Sequence, residues 1–187
     1  MVPLTSLWLP ILLSAVFVFI ASSLIHMVLG YHAGDFDRLP HEDQVSDAIR
    51  TMNIPPGDYM APYVRTAAER KAPEFMERLK RGPVFAMTVF RPAMGSMGPR
   101  LVQWFLFSVL VSIFAAYIAG RTLSPGTEYL QVMRIAGATA FVAYSMAHMP
   151  ASIWYDRKWS TTLRNMLDGL IYGLLTGGTF GWLWPSM

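Results

Sequence analysis

TLRNMLDGLIYGLLTGGTFGWLW, residues Thr162–Trp184, decides how this chain is read. Within that apolar stretch Gly169, Gly173, Gly177 and Gly181 recur at every fourth position. Residues four apart lie on one face of a helix, and a face without side chains lets a second backbone approach closely. Helices associate this way in lipid, where contact between them gains no hydrophobic free energy. A second row, Arg164, Asp168, Tyr172 and Thr176, sets a carboxylate inside the apolar segment. Asp168 is therefore the residue that needs an explanation, because an ionisable group in a membrane span is costly and is normally paired.

The composition agrees with a membrane setting. Of 187 residues 53% are hydrophobic and only 14% charged, too apolar for an ordinary soluble domain. The net charge of +3 does not imply nucleic acid, because the basic residues flank apolar segments and form no run with interleaved aromatics. With no cysteine, the chain has no disulfide, thiolate metal site or cysteine nucleophile.

Outward from the glycine row, the remaining chain divides by hydropathy. Residues 4–29 form an apolar run longer than the roughly 20 residues that cross a bilayer, and it lacks the basic start of a cleaved signal. Residues 101–119 and 132–154 give two more spans, the second one bounded by Trp154, Tyr155 and Trp159. Gly120 is expected to end the 101–119 helix. With 162–184 as the fourth span, the fold class expected is an all-α four-helix bundle in the membrane, a single membrane domain over 1–187. An extramembrane insertion over 31–100 separates the first two spans and holds ten of the fifteen Lys/Arg. In it a short amphipathic helix after Pro40 carries Val45, Ala48, Ile49 and Met52, and stops at Ile54-Pro55-Pro56-Gly57. A second helix runs from Pro73 to Gly82, Val84–Phe90 reads as a strand or an interfacial segment, and Arg91–Gly98, with Pro92 and Gly95, as a linker. An insertion this small is expected to have little core of its own.

Charge then orients the bundle. The 31–100 insertion, the turn after Tyr155 and Arg164 hold thirteen of the fifteen Lys/Arg, and only Arg121 and Arg134 fall on the other side. The positive-inside rule puts the insertion in the cytoplasm and both termini outside, with the inner (plasma) membrane of a bacterium as the expected location.

Depth along the helices brings out a candidate site. His26, His148 and Asp168 come from three different spans and lie at roughly 6–10 Å from the cytoplasmic face. Two imidazoles and a carboxylate suit Zn, Mn or non-haem Fe. His26 opposite His148 would instead suit a haem. Met27, Met146, Met149 and Met166 offer soft ligands for Cu(I). Against these stands a structural reading, in which methionines are packing material and the polar groups pair locally, Asp168 with Arg164 or Arg157. His41-Glu42-Asp43 and Asp47 fit a solvated helix face. His32, Asp35 and Asp37 either extend a cation site toward water or form a polar linker.

There is no phosphate-binding loop, dinucleotide fingerprint, HExxH motif or nucleophile elbow. The function expected is that of a non-catalytic membrane protein, an accessory or assembly subunit or a homo-oligomer joined through its glycine zipper, without a cofactor. Its partners are the bilayer and either a membrane protein or a second copy, with no nucleic acid. The alternative is a metal- or haem-binding membrane protein for redox or metal transport, using His26, His148 and Asp168. A weaker alternative is a permease for a small solute or ion.

Overall fold

The computed structural model describes residues 1–91 and 96–186, so Pro92 and Gly95 of the expected linker lie outside the described residues. The chain is mostly helical. Its elements are α1 (Trp8–Leu24), α2 (Glu42–Thr51), β1 (Gly57–Ala61), α3 (Ala67–Arg70), α4 (Pro73–Arg81), β2 (Phe85–Val89), α5 (Met97–Thr122), α6 (Tyr129–Ser145), α7 (Met149–Tyr155) and α8 (Trp159–Trp182). They group into two compact units, Met1–Asp37 with Ser96–Met187, and Arg38–Gly95. Among the described residues two helical stretches are long and apolar enough to cross a membrane: Leu4–Leu29, mean hydropathy 2.4, and Met97–Thr122, mean hydropathy 2.1.

The smaller unit follows its local signals. Pro73 opens α4, Gly82 closes it at φ 59°, and Thr66 accepts a hydrogen bond from the Glu69 amide to start α3. β2 pairs antiparallel with β1, Gly57 opposite Val89 and Ala61 opposite Phe85. β1 directly follows the Ile54–Gly57 turn, a strand that the apolar pattern of its own five residues does not announce. Among the described residues of this unit only Phe75 is buried, as its size leads one to expect.

In the larger unit the helix boundaries differ from those read in the sequence, and α6 and α8 each begin three residues earlier, at Tyr129 and Trp159. α5 begins at Met97 and takes in Gly98 and Arg100. It also runs past Gly120, which is buried where the Val2 amide donates to its carbonyl at 2.8 Å, so that glycine serves close approach and not termination. The helix expected over 132–154 is divided. Pro150 has no N–H and its ring crowds the carbonyl four residues earlier. The chain accordingly tightens into a 3-10 turn at Met146–His148 before α7 resumes.

The interior of this unit is rich in hydroxyls and its exterior is apolar. Ser14, Ser108, Ser112, Thr162 and Thr176 are fully buried, and the Ser14 hydroxyl donates to Ser112 Oγ at 2.9 Å between α1 and α5. Leu163, Leu167, Leu170 and Leu174 form an exposed row on α8. The neighbouring face of α8 meets α6 at the glycines. A Cβ on Gly177 would stand 2.5 Å from the Met133 carbonyl oxygen and 2.9 Å from Gly137 Cα, and one on Gly173 would stand 2.9 Å from the Gly137 carbonyl oxygen. Gly169 faces Ser145 and Gly181 faces Tyr129 in the same way.

Backbone cannot yield here as a flexible side chain could. Gly177→Leu is therefore expected to lower the thermal stability of the detergent-solubilised protein, with overpacking of this kind costing about 1–3 kcal/mol. Leu174→Ala, on the exposed row, should change it far less.

Candidate metal centre

Asp168 lies on α8 with its side chain 5% exposed. Neither Arg164 nor Arg157, the local partners read in the sequence, pairs with it. Its carboxylate instead meets the segment that leaves the first apolar helix. Tyr31 Oη donates to Oδ1, His32 Nε2 lies 2.8 Å from Oδ2, and His26 Nε2 lies 3.9 Å from the same oxygen.

Local backbone chemistry brings those three residues there. α1 ends in a wider π turn over Ile25–Leu29, and Gly30 then takes the left-handed conformation at φ 63°, which reverses the chain. Two further turns follow, with the Ala33 amide donating to the Gly30 carbonyl and the Asp35 amide to the His32 carbonyl, each at 3.0 Å. Lys158 Nζ on Asp37 at 2.5 Å and the Arg157 guanidinium 6.0 Å above the Phe36 ring tie the segment to the turn before α8.

Each imidazole is oriented by its other nitrogen. His26 Nδ1 stands 3.0 Å from the Ser22 carbonyl, which can only accept, so Nδ1 donates there and the ring is held with Nε2 toward Asp168. Ser22 is itself held by Trp104 of α5, whose indole N–H donates to the Ser22 hydroxyl at 2.8 Å. His32 Nδ1 stands 2.7 Å from Asp35 Oδ2, and Arg164 donates to Asp35 Oδ1 at 2.9 Å. A carboxylate behind one ring nitrogen, with the other turned to the candidate ligand Asp168, is the kind of outer-shell support that orients a metal-binding histidine.

The ligand atoms of His26, His32 and Asp168 all lie within 4.8 Å of one another. Bonds of about 2.0–2.1 Å at tetrahedral angles require ligand atoms about 3.3 Å apart, so His26, 3.9 Å from Asp168 Oδ2, would draw in while His32, 2.8 Å from it, would move out slightly. The group also needs one rotation. The two rings are stacked, with centroids 4.6 Å apart and planes at 8°, so their nitrogens do not point at a common centre. His26, with a side chain 52% exposed against 12% for His32, is the ring free to tilt.

The charges are matched in sequence: guanidinium, carboxylate, imidazole, carboxylate. Burial works against the Asp35 carboxylate, yet the hydrogen bonds from His32 and Arg164 outweigh it and hold the group below the ordinary carboxylate range. Burial, reinforced by the bond to Asp168, pushes the Tyr31 phenol up, so it stays a donor. Deeper along α8, the hydroxyls of Tyr172 and Thr176 are buried without a partner among the described residues, as is that of Tyr144 packed against Tyr172.

The structure thus brings together two of the three residues singled out in the sequence. His148 lies in the 3-10 turn before α7 and is not part of the group, so the His26–His148 pair needed for haem is not what surrounds Asp168. His32 takes its place, and the signal for it was the His-x-x-Asp spacing to Asp35 just after Gly30. Met27 and Met146 are exposed. Glu42 pairs with Arg38 at 3.4 Å and Asp47 with Arg50 on the outside of α2, a solvated face. Compared with protein-family models, curated proteins and solved structures, the chain matches none.

A carboxyl group whose folded pKa is depressed adds stability that is present above its unfolded value and is lost as pH falls through the folded one. Asp35→Asn should therefore lower the melting temperature of the metal-free protein at neutral pH. The gap to wild type should narrow only below about pH 4, the ordinary carboxylate value. Melting curves from pH 7 down to 3 check this, and an equal gap at every pH would contradict it.

Proposed function

We propose that this chain is an integral membrane protein that binds a divalent first-row transition metal ion, zinc by preference, through His26, His32 and Asp168. The convergence of those three ligand atoms, with each imidazole pinned through its other nitrogen, carries the reading. Two nitrogens and one oxygen suit zinc-type ions and disfavour Mg²⁺ and Ca²⁺, which take all-oxygen sites. Tyr31 stands beside Asp168 to hold the carboxylate oxygen that the ion leaves free.

The setting proposed is a bundle of four spans, with α6 and α7 together as the third and α8 as the fourth, both termini outside and the 31–100 segment cytoplasmic. The exposed leucine row of α8 and the hydroxyl-rich interior support it, since a lipid-facing surface should be apolar and buried hydroxyls can bond across helices. The metal site then lies at the cytoplasmic edge. An accessory or assembly role fits the same arrangement as the context in which the ion is held. Self-association through the glycine row draws no support, because α6 of the same chain occupies that face.

Topology is open to direct measurement because the natural chain has no cysteine. In inside-out vesicles, a membrane-impermeant maleimide should label Thr66→Cys and spare Ser124→Cys. The reverse pattern would invert the orientation, and labelling of both would refute the four-span arrangement.

Zinc titration of purified protein should give one site per chain. His32→Ala and Asp168→Asn should each weaken it at least tenfold, while His148→Ala leaves it intact. In the ion-free protein both nitrogens of His32 face carboxylate oxygens. Zinc takes an imidazole through a bare nitrogen and so competes with protons, and binding should weaken as pH falls. No stoichiometric zinc binding, or binding indifferent to His32, would end this reading.

A further inference from the structure

Arg134 lies five residues into α6, on the side opposite the metal centre in the proposed topology. It is exposed, and among the described residues no carboxylate pairs with it. An arginine at such a position costs a few kcal/mol unless its charge is met. Either the guanidinium reaches the headgroup layer or a partner comes to it.

Next to it runs an apolar groove of about 340 Å³ along the seam of α6 and α8, lined by Leu130, Met133, Ala138, Phe141, Leu170 and Leu174. Gly137 and Gly173 lie at its floor, where the two backbones meet. It is open along the outer face of the two helices, and Arg134 stands on its rim. The two features complete each other: an apolar slot that takes a hydrocarbon chain, and a cation beside it that takes an anion with a fork of N–H donors.

We propose that this groove is a binding site for an anionic phospholipid, with one acyl chain laid over Gly137 and Gly173 and the phosphodiester on Arg134. The proposal rests on the membrane-spanning reading of α6 and α8. Charge selects the occupant. A zwitterionic lipid fills the groove equally well, but it brings its own cation to the phosphate and so meets the guanidinium less favourably. A planar guanidinium also matches the phosphate oxygens pairwise, so Arg134→Lys should recover only part of the preference.

The test uses full-length protein in nanodiscs of phosphatidylcholine alone and of phosphatidylcholine with phosphatidylglycerol, and native mass spectrometry to count the lipids retained. Wild type should retain one phosphatidylglycerol with about a fivefold preference, as expected for one basic contact at the headgroup level. Arg134→Gln should abolish that preference. Arg121→Gln, at the other basic residue of that face, should leave it unchanged. Ala138→Trp, which blocks the exposed rim of the groove, should displace the lipid with Arg134 still in place, and it guards against misfolding of the arginine variant. Equal retention of the two lipids by correctly inserted wild type would overturn the lipid site and leave the spanning arrangement standing. Failure of the chain to enter the bilayer would overturn both.

Discussion

The α6–α8 contact governs the larger unit, because two backbones meet there with no side chain between them. Gly177 and Gly173 stand against Gly137 and the Met133 carbonyl at distances that no Cβ tolerates. Helices normally pack about 8–10 Å apart on intervening side chains, and removing those side chains fixes both the spacing and the rotation of α8. With that rotation set, Asp168 turns away from α6 toward the segment after α1, and the leucine row turns outward. A stripe that holds two helices of one chain together thereby decides where the only carboxylate of α8 points.

Everything around that carboxylate reduces the cost of burying it. Tyr31, His32 and His26 meet it directly, Asp35 and Arg164 steady His32 from behind, and Trp104 reaches Ser22 to steady His26. Without an ion the arrangement is a closed hydrogen-bonded network, which is favourable only while each member is satisfied. For the proposed ion the His26 ring, which is half-exposed, would have to leave its stack on His32 and tilt toward Asp168.

Much of this was legible in the sequence, and the failures share a cause. The four-residue glycine period, Asp168 as an outlier in an apolar run and the amphipathic helices near 42–51 and 73–81 are all local patterns that set local structure. The choice of His148 over His32 compared depths and ignored direction around the helix axis. Depth follows from counting residues, whereas direction depends on the π turn at Ile25–Leu29 and on the reversal at Gly30. Neither has a clear signature in composition. The break at Pro150 was written in the chain, but the apolar run on both sides of it masked the missing amide. β1 is defined by its pairing with β2, about thirty residues away, and such partners leave little trace in a five-residue segment.

The separation between His32 and Asp168 along the chain is 136 residues. A ribosome makes the first long before the second, so the imidazoles must pass through synthesis without their carboxylate. During that interval His26 and His32 lack the group they face, and the last helix arrives carrying a charge that they and Tyr31 meet. The cluster therefore closes only after α8 has folded against the segment that follows α1. A chain interrupted anywhere before Asp168 would bear the two rings without the acid.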